Sequence, residues 1–217
     1  MTKALFVYGG WEGHEPDMCA AIVAPALEAS GLQVTLSKDL QVYAEVDAVR
    51  QYDVIVHCWS FDTITPEQER GLLAAVESGV GIAGWHGGLL DSFRNNPTYQ
   101  FMVGGQFVSH PGRQVDFEVH ITNHDHPITT GIRDFSLHTE QYYLHMDPRS
   151  EVLAETTFSG LGQPWIKGIV MPVVFTKPWG QGRVAAVTLG HSASEFAVPE
   201  FLEMVRRSVL WAARANP

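Results

Sequence analysis

Apolar residues in the first half of the chain fall into short, unbroken blocks set off by glycine. Lys3 to Tyr8 (KALFVY) is such a block and ends at Gly9-Gly10, the pattern of a strand covered on both faces. Leu32 to Leu36 and Asp53 to Cys58 (DVIVHC) predict two more strands, and Val80 to Gly84 a fourth that delivers Trp85-His86 to a turn. Helices separate them. Asp17 is the expected cap of a helix that runs to Ser30 and stops at Gly31. Thr65-Pro66-Glu67-Gln68 places Thr as N-cap, Pro at the first helical position and Gln where it closes a capping box, and this helix ends at Gly79. Strands alternating with helices at this spacing predict a parallel sheet with helices on both faces, whose ligands bind beyond the carboxyl ends of the strands. The loops after Tyr8, Cys58 and Gly84 are therefore expected on one rim.

The second half has another rhythm. Val115 to Ile121 (VDFEVHI) alternates apolar and polar residues, as do parts of Phe135 to Leu144 and Glu151 to Glu155, predicting strands with one wet face. Pro172 to Thr176 and Arg183 to Leu189 predict a hairpin turning at Gly180-Gln181-Gly182 and returning to the main sheet, and Pro199 to Arg214 an amphipathic closing helix. With no repeat, low-complexity tract or linker, residues 1–217 are expected to form one domain.

Composition narrows the function classes. A formal charge of −10, from 14 Lys and Arg against 24 Asp and Glu, argues against a nucleic-acid surface, which needs clustered cations. No apolar run is long enough for a membrane span. Cys19 and Cys58 form neither a CxxC pair nor a disulfide framework, and the chain goes straight from its first residues into a strand, so a reducing cytoplasm is expected. Gly180-Gln181-Gly182-Arg183 has no helix after it and is read as a hairpin turn, not a phosphate loop; no nucleotide cofactor is expected. The chain does hold ten histidines, several beside glycine or proline. Histidine is the usual acid/base near neutral pH and a common metal ligand.

Five polar stretches fall where strands should end: Trp11-Glu12-Gly13-His14, Trp85-His86-Gly87-Gly88, Gly104 to Phe107 with Ser109-His110-Pro111, Thr139 to Tyr143, and Gly190-His191-Ser192. In six stretches, GWHGG, GGQFVSHP, HPITTGI, TEQYYLH, GQGRVAAVTLGH and VLWAA, taken in this order, the chain resembles the ThuA-like (trehalose utilisation) family. The resemblance implies the class I glutamine amidotransferase-like superfamily fold: an α/β, three-layer, doubly wound, mostly parallel sheet of flavodoxin-like architecture. It also implies a place in bacterial sugar catabolism beside an oxidoreductase that makes keto-sugars. Amidotransferases of that superfamily carry a nucleophilic cysteine at a strand-to-helix elbow, whereas His86 lies in that region here.

Imidazole is a poor nucleophile toward amides but a good general base or metal ligand, so the exchange points to metal or proton-transfer chemistry. His86, Glu140 and His191 are the expected catalytic residues; His86, His110 and His191 are the expected ligands of a divalent metal, zinc first. His14, Trp85, Gln106, Tyr142 and Tyr143 are the expected sugar-binding residues, with Trp11 a further platform. His14, flanked by Glu12 and Glu15, also reads as a solvated surface residue. His124-Asp125-His126 is read as a structural loop, His57 and His120 lie outside the expected site, and His138 and His145 flank Glu140 as supporting candidates. The expected partner is a small carbohydrate, with a homodimer and pairing with a sugar oxidoreductase as further expectations. Two competing readings are a hydrolase using Cys58 and a non-catalytic sugar-binding or assembly module.

Overall fold

The computed structural model describes residues 1–214. Its first half alternates as the apolar blocks predict: β1 (Thr2–Gly10), α1 (Pro16–Ala29), β2 (Leu32–Ser37), the short α2 (Val46–Val49), β3 (Val54–Ser60), α3 (Pro66–Glu77) and β4 (Gly81–Trp85). Next come α4 (Gly87–Leu90), α5 (Pro97–Val103), β5 (Gly105–Ser109), β6 (Gln114–Ile121), β7 (Phe135–Glu140) and β8 (Tyr143–Met146). The chain continues through β9 (Glu151–Thr157), β10 (Val170–Trp179) and β11 (Gly182–Val187) to α6 (Pro199–Ala212). Nine strands make one sheet in the order β2-β1-β3-β4-β11-β10-β9-β6-β7, while β5 and β8 pair as a separate ribbon.

From β2 to β11 every neighbouring pair is parallel, and from β11 to β7 every pair is antiparallel. Four reversals of direction leave β7 running the same way as β11, so Glu140 at its end faces the rim where β1, β3 and β4 also end. β6 pairs with β9 only at His120↔Glu155 and Ile121↔Ala154. The Gln114/Glu140 end of the β6–β7 hairpin is thus free of the sheet and can bend toward that rim.

Alternation along the parallel strands feeds two cores. Ala4, Phe6, Val54, Val56 and Ala83 pack with α1 and α6, and Leu5, Val7, Ile55 and Ile82 pack with α3, α4 and α5 on the opposite face. Each buried strand is apolar on both sides for that reason. Truncating Phe6 or Leu72, both 0% exposed, is expected to cost about 2–5 kcal/mol through lost contact and residual cavity.

Local signals account for most boundaries. Thr65 and Gln68 exchange the two hydrogen bonds of the capping box, and Gly31 ends α1 at φ +90. Trp179 pairs with Gly182 across the tight turn of the β10–β11 hairpin. The expected Asp17 cap is corrected. Pro16 takes the first helical position, Glu15 precedes it at φ 50 without a side-chain cap, and Asp17 sits inside the first turn paired with Lys38. No described helix is long and apolar enough to cross a membrane.

Candidate active site

The GIAGWHGG stretch is shaped by close packing. A Cβ on Gly84 would lie 2.2 Å from the His57 carbonyl oxygen, one on Gly88 2.8 Å from Cys58 Cα, and one on Gly87 2.4 Å from His14 Cε1. Small residues let α4 settle on β3 and let His14 approach the turn. Between Trp85 and Gly87, His86 takes φ 49 and ψ −144, a left-handed backbone that costs a non-glycine residue about 1–3 kcal/mol. Its N–H donates to the Val187 carbonyl at 2.7 Å, clamping the elbow to the end of β11.

Four segments bring His14, His86, Glu140 and His191 together, with one donor atom from each lying within 4.8 Å of all the others. His86 Nε2 is 3.1 Å from Glu140 Oε2, and His191 Nδ1 is 3.3 Å from Oε1 without the angle of a good hydrogen bond. The His14 ring centre is 4.9 Å from that of His86 and 5.3 Å from that of His191. His14, His86 and Glu140 are buried and His191 is half-buried. An open cleft of about 520 Å³, bordered by His110, Arg113, His138, Glu140 and His191, leads to the group.

Two of the three rings are held from behind, and the third residue is held by its backbone. Ser60 Oγ bonds His14 Nδ1 at 2.6 Å, and His86 Nδ1–H donates to the Thr188 carbonyl at 3.0 Å. Tyr142 lies face-on to His86, with ring centres 4.2 Å apart and planes 30° from parallel. The His191 N–H donates to Glu195, whose carboxylate closes a capping box with Ser192. Gln141, next to Glu140, donates to Thr156 Oγ1 at 2.8 Å. Sequence reading missed Ser60, Thr188, Gln141 and Glu195. Only Ser192-Ala193-Ser194-Glu195 carried a local signal, the S-x-x-E capping pattern.

The electrostatics divide the cluster. Burial, reinforced by the His86 and His191 charges, pushes His14 down to about 3, so it is a neutral imidazole. Burial opposes ionisation of Glu140, but the adjoining imidazoles of His191 and His86 outweigh it and hold the carboxyl well below its usual range. The Glu140 contact raises His191. With Nδ1–H committed to Thr188, His86 turns Nε2 toward the Glu140 carboxylate and into the cluster. Three imidazole nitrogens and a carboxylate, with the His14 and His86 rings each backed by a polar partner, are the donor set of a divalent N/O site, and these residues fit such an ion.

The expected residues sort as follows. His86, His191 and Glu140 meet, and His14 joins them, buried at 7% exposure where its acidic neighbours had also allowed a surface position. His110 stands at the cleft side with Nε2 3.6 Å from Glu140, outside the four-residue group; His14 takes the third imidazole position instead. Trp85 is corrected from platform to core: it is 1% exposed and packs edge-on to Phe6 and Phe196, because β4 alternation turns it away from the rim. Gln106 and Tyr143 lie on the β5–β8 ribbon. Gln106 borders a separate groove with Phe101 and Met146, and Tyr143 packs near Phe158. Tyr142 is 3% exposed and serves as the floor under His86. His138 pairs with Asp116 at the cleft edge, and His145 borders the Gln106 groove.

His126 accepts from the Ile128 N–H inside its loop, and His57 is buried against the Tyr43 hydroxyl. His120, half-buried, pairs with Glu118 and Asp134. Cys58 is buried and its thiol is pushed well above its usual range by burial; Cys19 rises to about 12 for the same first cause. Neither is an available thiolate, which removes the footing of the cysteine-nucleophile reading.

The sheet has relatives among solved structures. A ThuA-like protein from Parabacteroides merdae superposes with TM-score 0.79 at 18% identity, covering 100% of this chain and 92% of that one. A ThuA-like protein from Bacteroides uniformis gives 0.77 at 18% identity, covering 97% and 91%. A beta-galactosidase from Bacillus circulans gives 0.57 at 15% identity, covering 100% of this chain but 32% of the enzyme. At these identities the likeness is one of fold, a mostly parallel α/β sheet related to the class I glutamine amidotransferase-like fold. No curated protein matches the chain. The family model described as ThuA, trehalose utilisation, matches residues 3–212, and the chain belongs to that family.

Proposed function

We propose that the protein is a carbohydrate-metabolism enzyme that acts on a sugar or keto-sugar at the His14, His86, Glu140 and His191 cluster, with a divalent metal, zinc first, as cofactor. The observation that carries this reading is the convergence of three imidazoles and one carboxylate within 4.8 Å at the end of an open cleft. Bound there, the ion supplies Lewis-acid stabilisation of negative charge on a substrate oxygen.

The chain's own groups divide the remaining work. Glu140 is held too acidic to be an effective base, so its role is to bind the cation and to keep His191 and His86 oriented. His191, with Nδ1 3.3 Å from Glu140 Oε1, completes the donor set on the cleft side. His110, at the cleft side 3.6 Å from Glu140, is placed to take a proton from the carbon beside a sugar carbonyl, as isomerisation or elimination requires. The cytoplasmic location, the pairing with a sugar oxidoreductase and a homodimer through exposed Leu161, Trp165 and Val170 belong to the same proposal.

The test is elemental analysis of tag-free protein with a turnover screen on sugars and keto-sugars. Near-stoichiometric zinc, manganese or iron in wild type, lost in both His14→Ala and His86→Ala, together with turnover, is expected. A well-folded wild type that takes up no divalent ion and consumes no candidate sugar, while its melting temperature rises with one, would refute catalysis and leave a binding module.

A further inference from the structure

Beside the cluster runs a line of planar groups that the proposed chemistry does not use. Trp11, folded over Gly13 and 46% exposed, stands 4.8 Å from His14 and 5.5 Å from Phe61, ring centre to ring centre. The Arg94 guanidinium lies 4.7 Å from the Phe61 ring centre and 5.6 Å from that of Phe107. Phe107 in turn is 4.5 Å from Tyr142, the floor under His86, so both ends of the line return to the cluster.

The wall is built in place. Phe61 (φ 62) and Phe93 (φ 48) are both left-handed, and the Phe61 N–H donates to the Asp91 carbonyl while the Phe93 N–H donates to that of Phe61. Asp91, 3% exposed, takes both Nε and Nη2 of Arg94, leaving Nη1 without a hydrogen-bond partner among the described residues. A guanidinium whose charge is already matched by a buried carboxylate has lost its usual preference for phosphate or carboxylate, yet keeps a flat face and free N–H donors. Aromatic faces suit the C–H face of a ring, and free donors suit hydroxyl oxygens.

We infer that Trp11, Phe61, Arg94 and Phe107 form the recognition wall for a neutral polyhydroxylated ring, with Arg94 Nη1 donating to a ring hydroxyl, and that this wall discriminates against phosphorylated and acidic sugars. The inference rests on the proposed function for the class of molecule that enters the cleft. Trehalose and trehalose 6-phosphate are the probes, titrated by calorimetry into wild type, Trp11→Ala, Arg94→Lys and His86→Gln.

Trp11 is partly exposed and Arg94→Lys keeps a cation opposite Asp91, so both variants should remain folded, with a modestly lower melting temperature from the lost Trp11 packing and the lost second arm of the Asp91 pair. Wild type is expected to bind trehalose at least tenfold more tightly than its phosphate, and each wall variant to lose about tenfold for trehalose. His86→Gln should lose metal, and the trehalose affinity it retains measures the part of binding that does not pass through the cluster. Equal trehalose binding by wild type and both wall variants, tighter binding of the phosphate, or no trehalose binding by wild type each overturn the wall. Wall-dependent trehalose binding in a protein that holds no metal and turns over no sugar overturns the proposed function and leaves the wall standing.

Discussion

Gly87→Ala tests the packing logic of the elbow directly. The new methyl would sit 2.4 Å from His14 Cε1 and 2.9 Å from Nδ1, where non-bonded carbons normally keep about 3.5–4.0 Å. The His14 ring must therefore retreat by about 1 Å, away from His86 and against its 2.6 Å bond to Ser60. Overpacking of that size costs about 1–3 kcal/mol, offset by up to about 1 kcal/mol from replacing glycine in a helix. The net loss of about 1–2 kcal/mol lowers the melting temperature by roughly 2–8 °C for a chain of this length. Divalent-ion affinity should fall about 10–100-fold as one donor leaves position. The assay is a thermal-melt cycle over wild type, Gly87→Ala, His14→Ala and the double variant, with metal titration of the two proteins that keep His14. In the His14→Ala background the two closest contacts are gone and the next is the Tyr142 hydroxyl at 3.2 Å, so Gly87→Ala should cost clearly less there. An equal cost in both backgrounds would show that the approach of His14 is not what the glycine serves.

Three further outcomes follow from named contacts. Ser60→Ala leaves His14 without its buried hydroxyl partner, and divalent-ion affinity by competition with a chelator should drop about 10–100-fold with the fold intact; unchanged affinity removes Ser60 from the site. Thr65→Ala breaks one arm of the α3 capping box and should cost about 1 kcal/mol in denaturant melts, whereas Thr65→Ser should restore most of it. Hydrogen bonds from Arg206 and then Arg207 hold the Glu203 carboxyl at about 2 against its partial burial. Because that value lies below the unfolded one of about 4.5, the contribution is complete above pH 4.5 and disappears as pH falls toward 2. Wild type should therefore lose stability between pH 5 and 3 more steeply than Glu203→Gln, and parallel curves would rule this out.

What was legible in the sequence follows the range of the forces involved. β1, β3 and β4 are buried on both faces, so their apolar runs announced them, and the α3 cap is a contact between residues three apart. His86 and His191 were visible because glycines flank them at strand ends. His14 was ambiguous because its burial depends on Ser60 and Gly87, far away in sequence, while its near neighbours are acidic. Trp85 misled because the positive φ that decides the direction of His86 begins one residue later, leaving Trp85 on the strand's own alternation into the core. Gln106 and Tyr143 misled because nothing local tells a ribbon strand from a sheet strand; β5 and β8 find each other across the whole β6–β7 hairpin.

The four residues of the cluster are drawn from near the beginning, the middle and near the end of the described chain, and none has another as a sequence neighbour. The site therefore exists only where distant segments of the sheet have been assembled. His14 has no His191 to meet until β11 has closed against β4, and Glu140 arrives only when the outer hairpin has docked. A partly folded chain offers at most scattered donors, so an ion or sugar gripped by all four would favour the finished fold by mass action and raise the free energy of global unfolding. Hydrogen exchange in the buried inner strands β1, β3 and β4 should then report occupancy of a rim that those amides never touch.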